Sequence, residues 1–259
     1  MTGPAARRAP TGKRIGACPG RFSSALKTVG GLMEPGGFKA TCGIGGKRIS
    51  RARIGRLMRQ QGLCCKTRRR FRATTNSNHT LPVAPNHLDR PFQVAEPDRV
   101  YVGDITYVAT GEGWLYLAVF LDLFSRQAVG WAMSAWMTAD LVLDALHMAR
   151  WRRRPGKGLL VHSDRGSPYA SGRFQTLLKE QGYLCSMSRK GNCWDNAPAE
   201  SFFHSLKTEL IHHHRFETRE QARQAIFESI EVFYNRQRKH STLGYRTPVE
   251  FERQHRKAA

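Results

Sequence analysis

The chain has 259 residues, and its 42 Lys and Arg residues against 20 Asp and Glu residues give a net charge of +22. That length allows one sizeable core with a smaller module, and that charge favours a polyanionic partner. No segment approaches the roughly 20 apolar residues of a membrane helix, and the six cysteines form no C-x-x-C pair, which argues against membrane-spanning and disulfide-stapled proteins. We predict reduced thiols and a cytoplasmic location. On charge alone, ribosomal RNA or a membrane surface is also a possible partner.

The first third of the chain carries most of the charge. Residues 1–90 contain 19 Lys and Arg against 2 acids, a net of +17, whereas residues 91–259 contain 23 against 18, a net of +5. Residues 1–48 are rich in Gly, Pro, Ala and Arg and show little periodicity, which is typical of a disordered segment. Such a basic arm binds any duplex at low salt through counterion release, so it predicts nucleic acid but no particular sequence.

Residues 49–90 are predicted to contain one basic helix and a basic linker. The helix begins at Ser50 and ends at Gly62, and its apolar residues recur at helical spacing. Its other faces are rich in arginine, which suits a helix that rests one side on a core and presents the other to DNA. A solvated cationic helix without a DNA groove is the alternative. The candidate DNA-binding residues here are Arg51, Arg53, Arg56, Arg59, Arg68, Arg69 and Arg70.

Residues 91–259 are predicted to form an α/β catalytic core. Three adjacent strand-like segments joined by short links favour an antiparallel meander, and the later alternation of strands and helices favours parallel additions covered by helices. The predicted strands are residues 100–108, 114–122, 126–133, 159–163 and 183–187, and the predicted helices are residues 138–152, 170–181, 196–213 and 218–236.

Three carboxylates in this core are candidate metal ligands. Asp104 lies within the first predicted strand, Asp164 lies where the fourth strand gives way to a turn, and Glu200 lies near the start of a helix with Pro198 in its first turn. Carboxylates held in this way suit a pair of Mg²⁺ ions that clamp the attacking and leaving oxygens of an in-line displacement. Because a chain with 20 acidic residues offers many such triples, spacing alone does not establish the site.

Lys207 is a candidate phosphate ligand beside the metals. It follows Glu200 by seven residues, or two helical turns, and therefore shares a helix face with Glu200, Asn196 and His204. The alternative is that Glu200 and Lys207 belong to an ordinary solvated helix face.

The local sequences around these residues resemble a known family. Residues 162–169 read His-Ser-Asp-Arg-Gly-Ser-Pro-Tyr, residues 195–203 read Asp-Asn-Ala-Pro-Ala-Glu-Ser-Phe-Phe, and 35 residues separate the last two acids. With the strings at residues 121–126 and 234–248, they resemble the integrase-core transposases of bacterial insertion sequences, the second-reading-frame type related to retroviral integrases. The resemblance covers about residues 49–252. Tyr101 departs from it, because the family usually has tryptophan there.

The resemblance implies a ribonuclease-H-like fold in which the first strand lies beside the fourth, so that Asp104 meets Asp164. It implies that Asp104, Asp164 and Glu200 hold two Mg²⁺ ions, with Mn²⁺ as a substitute, for DNA cleavage and strand transfer. It further implies a homo-multimer on DNA, a companion first-reading-frame protein, a bacterial nucleoid-associated location, and a helix-turn-helix whose remnant is residues 49–90. Helices expected before that remnant are missing from residues 1–48, and a frameshift or misplaced start is our hypothesis for this difference.

Aromatic and basic residues are interleaved in residues 234–240. Such mixtures can stack on unpaired bases and pair with phosphates, so Arg236, Arg238 and Lys239 are candidate DNA-binding residues. Core packing is an equally good interpretation of Tyr234.

Two other functions are compatible with the carboxylates or the charge. A catalytically silent remnant would keep the fold and bind DNA without joining it. A ribonuclease acting on RNA–DNA hybrids would use the same carboxylate chemistry, but the string at residues 234–248 favours the transposase.

Overall fold

The computed structural model describes residues 80–89, 92–189 and 193–258, together with Arg56, Arg59, Gln60 and Gly62. At residues 193, 194, 257 and 258 it describes the backbone alone. The contacts divide the chain into Met1–Gly31 and Leu32–Ala259, and every described residue belongs to the second unit. The predicted disorder of residues 1–48 therefore lies outside the described residues.

Five strands form one mixed sheet in the order β3-β2-β1-β4-β5. The first three pair antiparallel, and β4 and β5 extend the sheet in parallel from β1. The predicted meander, the parallel additions and the placement of β4 beside β1 are thereby confirmed. The strands are β1 (Val100–Thr110), β2 (Gly113–Asp122), β3 (Ala128–Ser134), β4 (Leu160–Ser163) and β5 (Leu184–Met187).

Six α-helices are present in the described part of the chain. They are α1 (Ala139–Arg153), α2 (Ser167–Ala170), α3 (Gly172–Glu180), α4 (Ala197–Glu209), α5 (Arg219–Glu228) and α6 (Pro248–Ala258). The single helix predicted over residues 170–181 is divided, because Ser171 is extended and its side chain caps α3 by accepting from the Phe174 N–H. The helix predicted to continue to residue 213 ends at Glu209, and α5 continues as a π-helical turn, Ser229–Tyr234. The sequence did not predict α6.

The sheet separates two apolar cores. Successive residues of β2 alternate between them, since Leu117 and Val119 face one core and Ala118 and Phe120 face the other. The core on the Phe120 side is covered by α1, α2 and α3, and the core on the Leu117 side is covered by α4, α5 and the π-helical turn. Each fully buried large apolar side chain stabilises the fold by roughly 1.5–3 kcal/mol relative to an exposed one.

The string at residues 121–126 forms the turn between β2 and β3. Asp122 is fully buried, and its Oδ2 accepts hydrogen bonds from the Ser125 N–H (2.9 Å) and hydroxyl (2.7 Å). Its Oδ1 accepts from the Asp98 N–H at 3.0 Å. Burial raises the pKa of Asp122, while the donated hydrogen bonds favour the charged form. This part of the family resemblance therefore has a structural explanation.

Residues before the predicted boundary at residue 90 also contact the sheet. The His87 N–H donates to Ser186 Oγ at 2.9 Å, Leu88 is buried, and Asn86 Nδ2 donates to Asp195 Oδ2 at 3.0 Å. The boundary stays a prediction, but these contacts attach residues 86–88 to the core. In the basic segment, Arg56, Arg59 and Gln60 are helical and exposed, and Gly62 has a φ of 67°, as expected of the predicted helix end.

Cys185, on β5, is a free thiol. Within residues 80–89, 92–189 and 193–258, each helix is too short or too polar to cross a bilayer.

Candidate active site

Asp104 lies in the middle strand of the sheet, where backbone packing fixes its position. The preceding residue, Gly103, contacts the ring of Phe120 so closely that a Cβ at this position would overlap it. The Gly103 carbonyl also accepts a long hydrogen bond, 3.5 Å, from Asn196 Nδ2 at the start of α4. The half-buried Asp104 side chain accepts from the Ile105 N–H through Oδ1 at 2.8 Å. These contacts hold one carboxylate at a defined point of the sheet.

Asp164 follows β4 directly, at the same edge of the sheet as Asp104. In the parallel pairing of β1 and β4, Gly103 is opposite Ser163, so the two aspartates follow paired residues. Asp164 Oδ1 accepts from the Gly166 N–H at 2.9 Å, which fixes the carboxylate within the turn that leads to α2. The structure thus brings together the two residues that the sequence predicted to meet.

Glu200 and Lys207 reach the site from α4. Both are half-buried, and Lys207 Nζ lies 5.6 Å from the centre of the Tyr107 ring on β1. The predicted helix face is only partly shared, because Asn196 is buried against Gly103 while His204 is exposed. Opposite this face, Phe202, Phe203 and Leu206 pack into the core and hold the helix against the sheet.

The charges of the four predicted residues act on one another. Burial and the negative charge of Asp164 raise the pKa of Asp104 well above its usual value, and Glu200 raises it further. The Ile105 N–H and the charge of Lys207 act in the opposite direction. Burial raises the pKa of Glu200, and burial lowers the pKa of Lys207 against the attraction of Asp104. Without a cation, the site is therefore a group of mutually repelling carboxylates beside one ammonium group.

These residues fit a divalent cation in part. Among the described residues, no three His, Cys, Asp or Glu side chains lie close enough to hold one ion together. Asp104 and Asp164 nevertheless supply two hard oxygen ligands, and Mg²⁺ is commonly held by one or two carboxylates together with substrate phosphate and water. The repulsion that raises the pKa of Asp104 is the interaction that a cation would reverse. Glu200 belongs to the same electrostatic group, since its charge also acts on Asp104.

A buried polar network behind the site was not anticipated from the sequence. Asp195 is 1% exposed and accepts hydrogen bonds from Asn86 and from the backbone and guanidinium of Arg189, all at 2.9–3.0 Å. His162, beside Ser163 in β4, contacts Ser186 Oγ through Nδ1 at 2.8 Å, and burial lowers its pKa to about 4. This network holds the segment that leads into α4. Asp195 and His162 both lie in the strings that carry the resemblance, which is the signal that could have identified them.

The predicted DNA-binding residues have different environments. Arg56, Arg59 and Arg236 are exposed, and Lys239 is half-buried. Arg238 instead forms a bidentate ion pair with Glu209 at 2.8–2.9 Å, with only 22% of its side chain exposed. The remaining candidates, Arg51, Arg53, Arg68, Arg69 and Arg70, lie outside the described residues.

Much of residues 234–240 is structural. Tyr234 is 7% exposed and packs edge-on against Phe202, which settles its role as core packing. The Asn235 side chain exchanges two hydrogen bonds with the backbone of Ala128, at 3.0 and 3.1 Å, and so fixes the π-helical turn to β3. Arg238 holds Glu209 at the end of α4. Phosphate contacts by Arg236, Arg238 and Lys239 stay predictions.

Comparisons with known proteins identify the family of this chain. Two families, each described as an integrase core domain, match residues 94–193 and 200–255. An uncharacterized 31 kDa protein of insertion element IS600 from Shigella sonnei is 50% identical over 212 residues, which are 82% of this chain and 78% of that protein. Transposase InsF for insertion sequence IS3A from Escherichia coli (strain K12) is 49% identical over 195 residues, 75% of this chain and 68% of that protein.

A solved structure shares the fold. A chain of the simian T-cell lymphotropic virus intasome, in complex with PP2A regulatory subunit B56 gamma, aligns with a TM-score of 0.53 and 17% identity. The alignment covers 69% of this chain and 60% of the viral chain. The five-stranded mixed sheet between two helical layers is thus the ribonuclease-H-like fold of retroviral integrases. The matching families and the relatives at half identity show that this chain belongs to the bacterial insertion-sequence transposases with an integrase catalytic core.

Proposed function

We propose that this chain cuts the DNA ends of an insertion element and joins them to target DNA, with Asp104, Asp164 and Glu200 holding two Mg²⁺ ions. The observation that supports this proposal best is that Asp104 and Asp164 follow paired residues of β1 and β4, with Glu200 and Lys207 on the helix that packs against β1. Mn²⁺ is expected to substitute for Mg²⁺, since both accept carboxylate and water ligands.

The reaction consists of two displacements at phosphorus. In the first, a water oxygen bonds to the phosphorus at the element end, and the bond to the departing 3′-oxygen breaks, leaving a 3′-hydroxyl. In the second, that 3′-oxygen bonds to a phosphorus of the target while the target's own P–O bond breaks. Bound divalent cations would supply charge stabilisation and a more acidic attacking oxygen.

The protein side chains position the reactants. Asp104 and Asp164 are fixed by β1, β4 and their hydrogen bonds to the Ile105 and Gly166 N–H groups, so they provide a preformed part of the site. Lys207 is half-buried beside Asp104, where its ammonium group can bind a phosphate oxygen of the DNA. Glu200 is proposed to complete the ligand set when DNA and cations bind. This closing movement would explain why three ligands are not already grouped among the described residues.

The partners are proposed on charge and family. The net charge of +17 in residues 1–90 suits element ends and target DNA, and the chain is proposed to act as a homo-multimer that holds two ends. A companion first-reading-frame protein would supply specific recognition of the ends. The proposed location is the bacterial cytoplasm, in association with the nucleoid.

Strand transfer by the purified chain tests the catalytic proposal. With a labelled pre-cut DNA end, a plasmid target and Mg²⁺ or Mn²⁺, we expect joined product that requires the cation and is lost in Glu200→Gln. Glu200→Gln keeps the side-chain volume and removes one ligand charge. Tight, salt-sensitive DNA binding without joined product by the unaltered chain would contradict the proposal and favour the silent remnant. Cleavage of RNA–DNA hybrids without strand transfer would favour the ribonuclease.

The double substitution Arg236→Gln and Lys239→Gln is expected to weaken DNA binding without changing stability. Each lost phosphate contact should lower the slope of log affinity against log salt by about 1, for a total of about 2. Fluorescence anisotropy with duplex DNA over a salt series measures this slope. The double substitution Lys157→Gln and Lys179→Gln is the charge-matched control, because both lysines are exposed and Lys179 lies on α3, which contacts the opposite edge of the sheet at β5. Equal slopes for the double variant and the control would remove these residues from the DNA interface.

A further inference from the structure

Tyr169, at the end of α2, is a buried residue beside the site to which no role has yet been assigned. Its side chain is fully buried, and its hydroxyl has no hydrogen-bond partner among the described residues. A buried hydroxyl without a partner has lost its hydrogen bonds to water and gained none in return, so its retention in a well-packed core requires an explanation.

The ring of Tyr169 is held rigidly. It packs edge-on against Phe120, with ring centres 6.3 Å apart, and against Phe174, with ring centres 5.5 Å apart. Its N–H donates to the Gly166 carbonyl at 3.0 Å, and its own carbonyl accepts from Gln175 Nε2 at 2.8 Å. The position of the hydroxyl oxygen is therefore fixed, so a carboxylate or a water has to move to it to form a hydrogen bond.

The same contacts place Tyr169 beneath both aspartates. Phe120 presses against Gly103, the residue before Asp104, and Gly166 donates to the carboxylate of Asp164. The negative charges of Asp104 and Asp164 act on the hydroxyl and, after burial itself, are the causes that raise the pKa of Tyr169. The hydroxyl consequently remains protonated, and it is a donor close enough to two carboxylates to feel their charges.

We propose that Tyr169 is a positioning residue, whose hydroxyl donates a hydrogen bond to the ligand carboxylates, or to water held between them, when a divalent cation binds. The bond would orient the outer oxygen of Asp104 or Asp164 and leave the other oxygen for the ion. Hydrogen bonds of this kind to metal ligands commonly change metal affinity 10- to 100-fold. This inference rests on the proposed function, because it assumes that the two aspartates bind the cation.

Tyr169→Phe separates this role from simple packing. The variant keeps the ring and removes only the hydroxyl, so without cations its thermal midpoint should equal or exceed that of the unaltered chain. Calorimetric titration with Mn²⁺ should show about 10- to 100-fold weaker binding. Tyr183→Phe is the matched control, because Tyr183 is a buried tyrosine of the same core. We expect this variant to bind Mn²⁺ as tightly as the unaltered chain.

The possible results distinguish the two proposals. If the unaltered chain binds Mn²⁺ and Tyr169→Phe binds it equally well, the positioning role is wrong while the proposed function stands. If the unaltered chain binds no Mn²⁺, the metal site itself is wrong and both proposals fail.

A second measurement does not depend on how Tyr169→Phe folds. With 3-fluorotyrosine placed at residue 169, the ¹⁹F resonance should shift during titration with Mg²⁺, whereas the same label at residue 183 should not. An unchanged resonance at 169 with saturating Mg²⁺, or equal shifts at both positions, would overturn the positioning role.

Discussion

Asp104→Asn is expected to abolish strand transfer while making the cation-free protein more stable. The substitution removes a ligand charge from the site, and a loss of about 4 kcal/mol of transition-state stabilisation corresponds to roughly a 1,000-fold lower rate. In the cation-free protein, the ionised Asp104 carboxylate is half-buried and repelled by Asp164 and Glu200. The neutral amide has the same size and avoids this repulsion, so the activity and the stability should change in opposite directions.

The pH dependence of stability follows from the same interaction. The pKa of Asp104 is raised in the folded chain above its usual value of 3.8, so folding favours the protonated form. The stabilisation associated with that proton is complete below pH 3.8 and is lost as the pH rises through the folded-state pKa. We therefore expect the cation-free chain to lose stability as the pH rises from 3.8 through the folded-state pKa of Asp104. The Asp104→Asn variant should lose less stability over the same range.

Thermal unfolding with and without Mg²⁺ measures both effects. At neutral pH without cations, the midpoint of Asp104→Asn should be higher by roughly 2–4 °C for each kcal/mol of repulsion removed. Mg²⁺ should raise the midpoint of the unaltered chain more than that of the variant. Asp144→Asn is the control, because Asp144 is exposed on α1 and its change should affect neither activity nor stability. A less stable Asp104→Asn variant with an unchanged pH profile would contradict the electrostatic description of the site.

The sheet and the catalytic residues were predictable because their signals are local or belong to the family strings. The strand-like segment predicted over residues 114–122 is β2, and the resemblance placed β1 beside β4 and united Asp104 with Asp164. A local signal was also missed at α6. Thr247 and Glu250 form reciprocal hydrogen bonds, at 3.0 and 3.1 Å, that cap the start of this helix, and their Thr-x-x-Glu spacing is visible in the sequence.

The remaining features depend on contacts between distant segments. Arg238 lies in a run of basic residues of the kind that binds DNA. Its partner, Glu209, lies 29 positions earlier and pairs with it once α4 and the π-helical turn pack together. The depth of Tyr169 likewise depends on Phe120 and Phe174, which lie on a different strand and helix. Residue type alone cannot distinguish a buried hydroxyl or a paired guanidinium from an exposed one.

Arg153→Met is expected to produce the largest loss of stability among single substitutions at ion pairs. Arg153 lies at the end of α1 with 11% of its side chain exposed, and it pairs with Asp98 at 2.8 Å and with Glu252 of α6 at 2.8 Å. Burial alone lowers the pKa of Arg153, but the hydrogen bonds and charges of Asp98 and Glu252 reverse this effect and raise it. Removal of the guanidinium would take from Asp98 and Glu252 their shared cation and leave Glu252 only the exposed Arg256, at a cost of about 3–5 kcal/mol.

Urea unfolding of Arg153→Met and Arg99→Met compares a buried pair with an exposed one. Arg99 pairs with Glu96 at 2.6 Å, but the side chains are 64% and 55% exposed, so its loss should cost less than about 1 kcal/mol. Equal losses in the two variants would show that the Arg153 cluster stabilises no more than a surface ion pair. If Arg153→Met loses more stability than Arg99→Met, the loss has two sources. One is the attraction that Arg153 supplies, and the other is the repulsion between the carboxylates that remain.

A triple variant separates these two sources. Arg153→Met combined with Asp98→Asn and Glu252→Gln removes all three charges and leaves groups of similar size. If uncompensated charge is the main cost, the triple variant should recover much of the stability that Arg153→Met loses, because replacement of a whole buried ion-pair cluster is often neutral. If the triple variant is as unstable as Arg153→Met, the attraction itself holds α6 to the core. In that case the hydrogen bond from the Tyr101 hydroxyl to Asp98, 2.6 Å long, would belong to the same stabilising cluster.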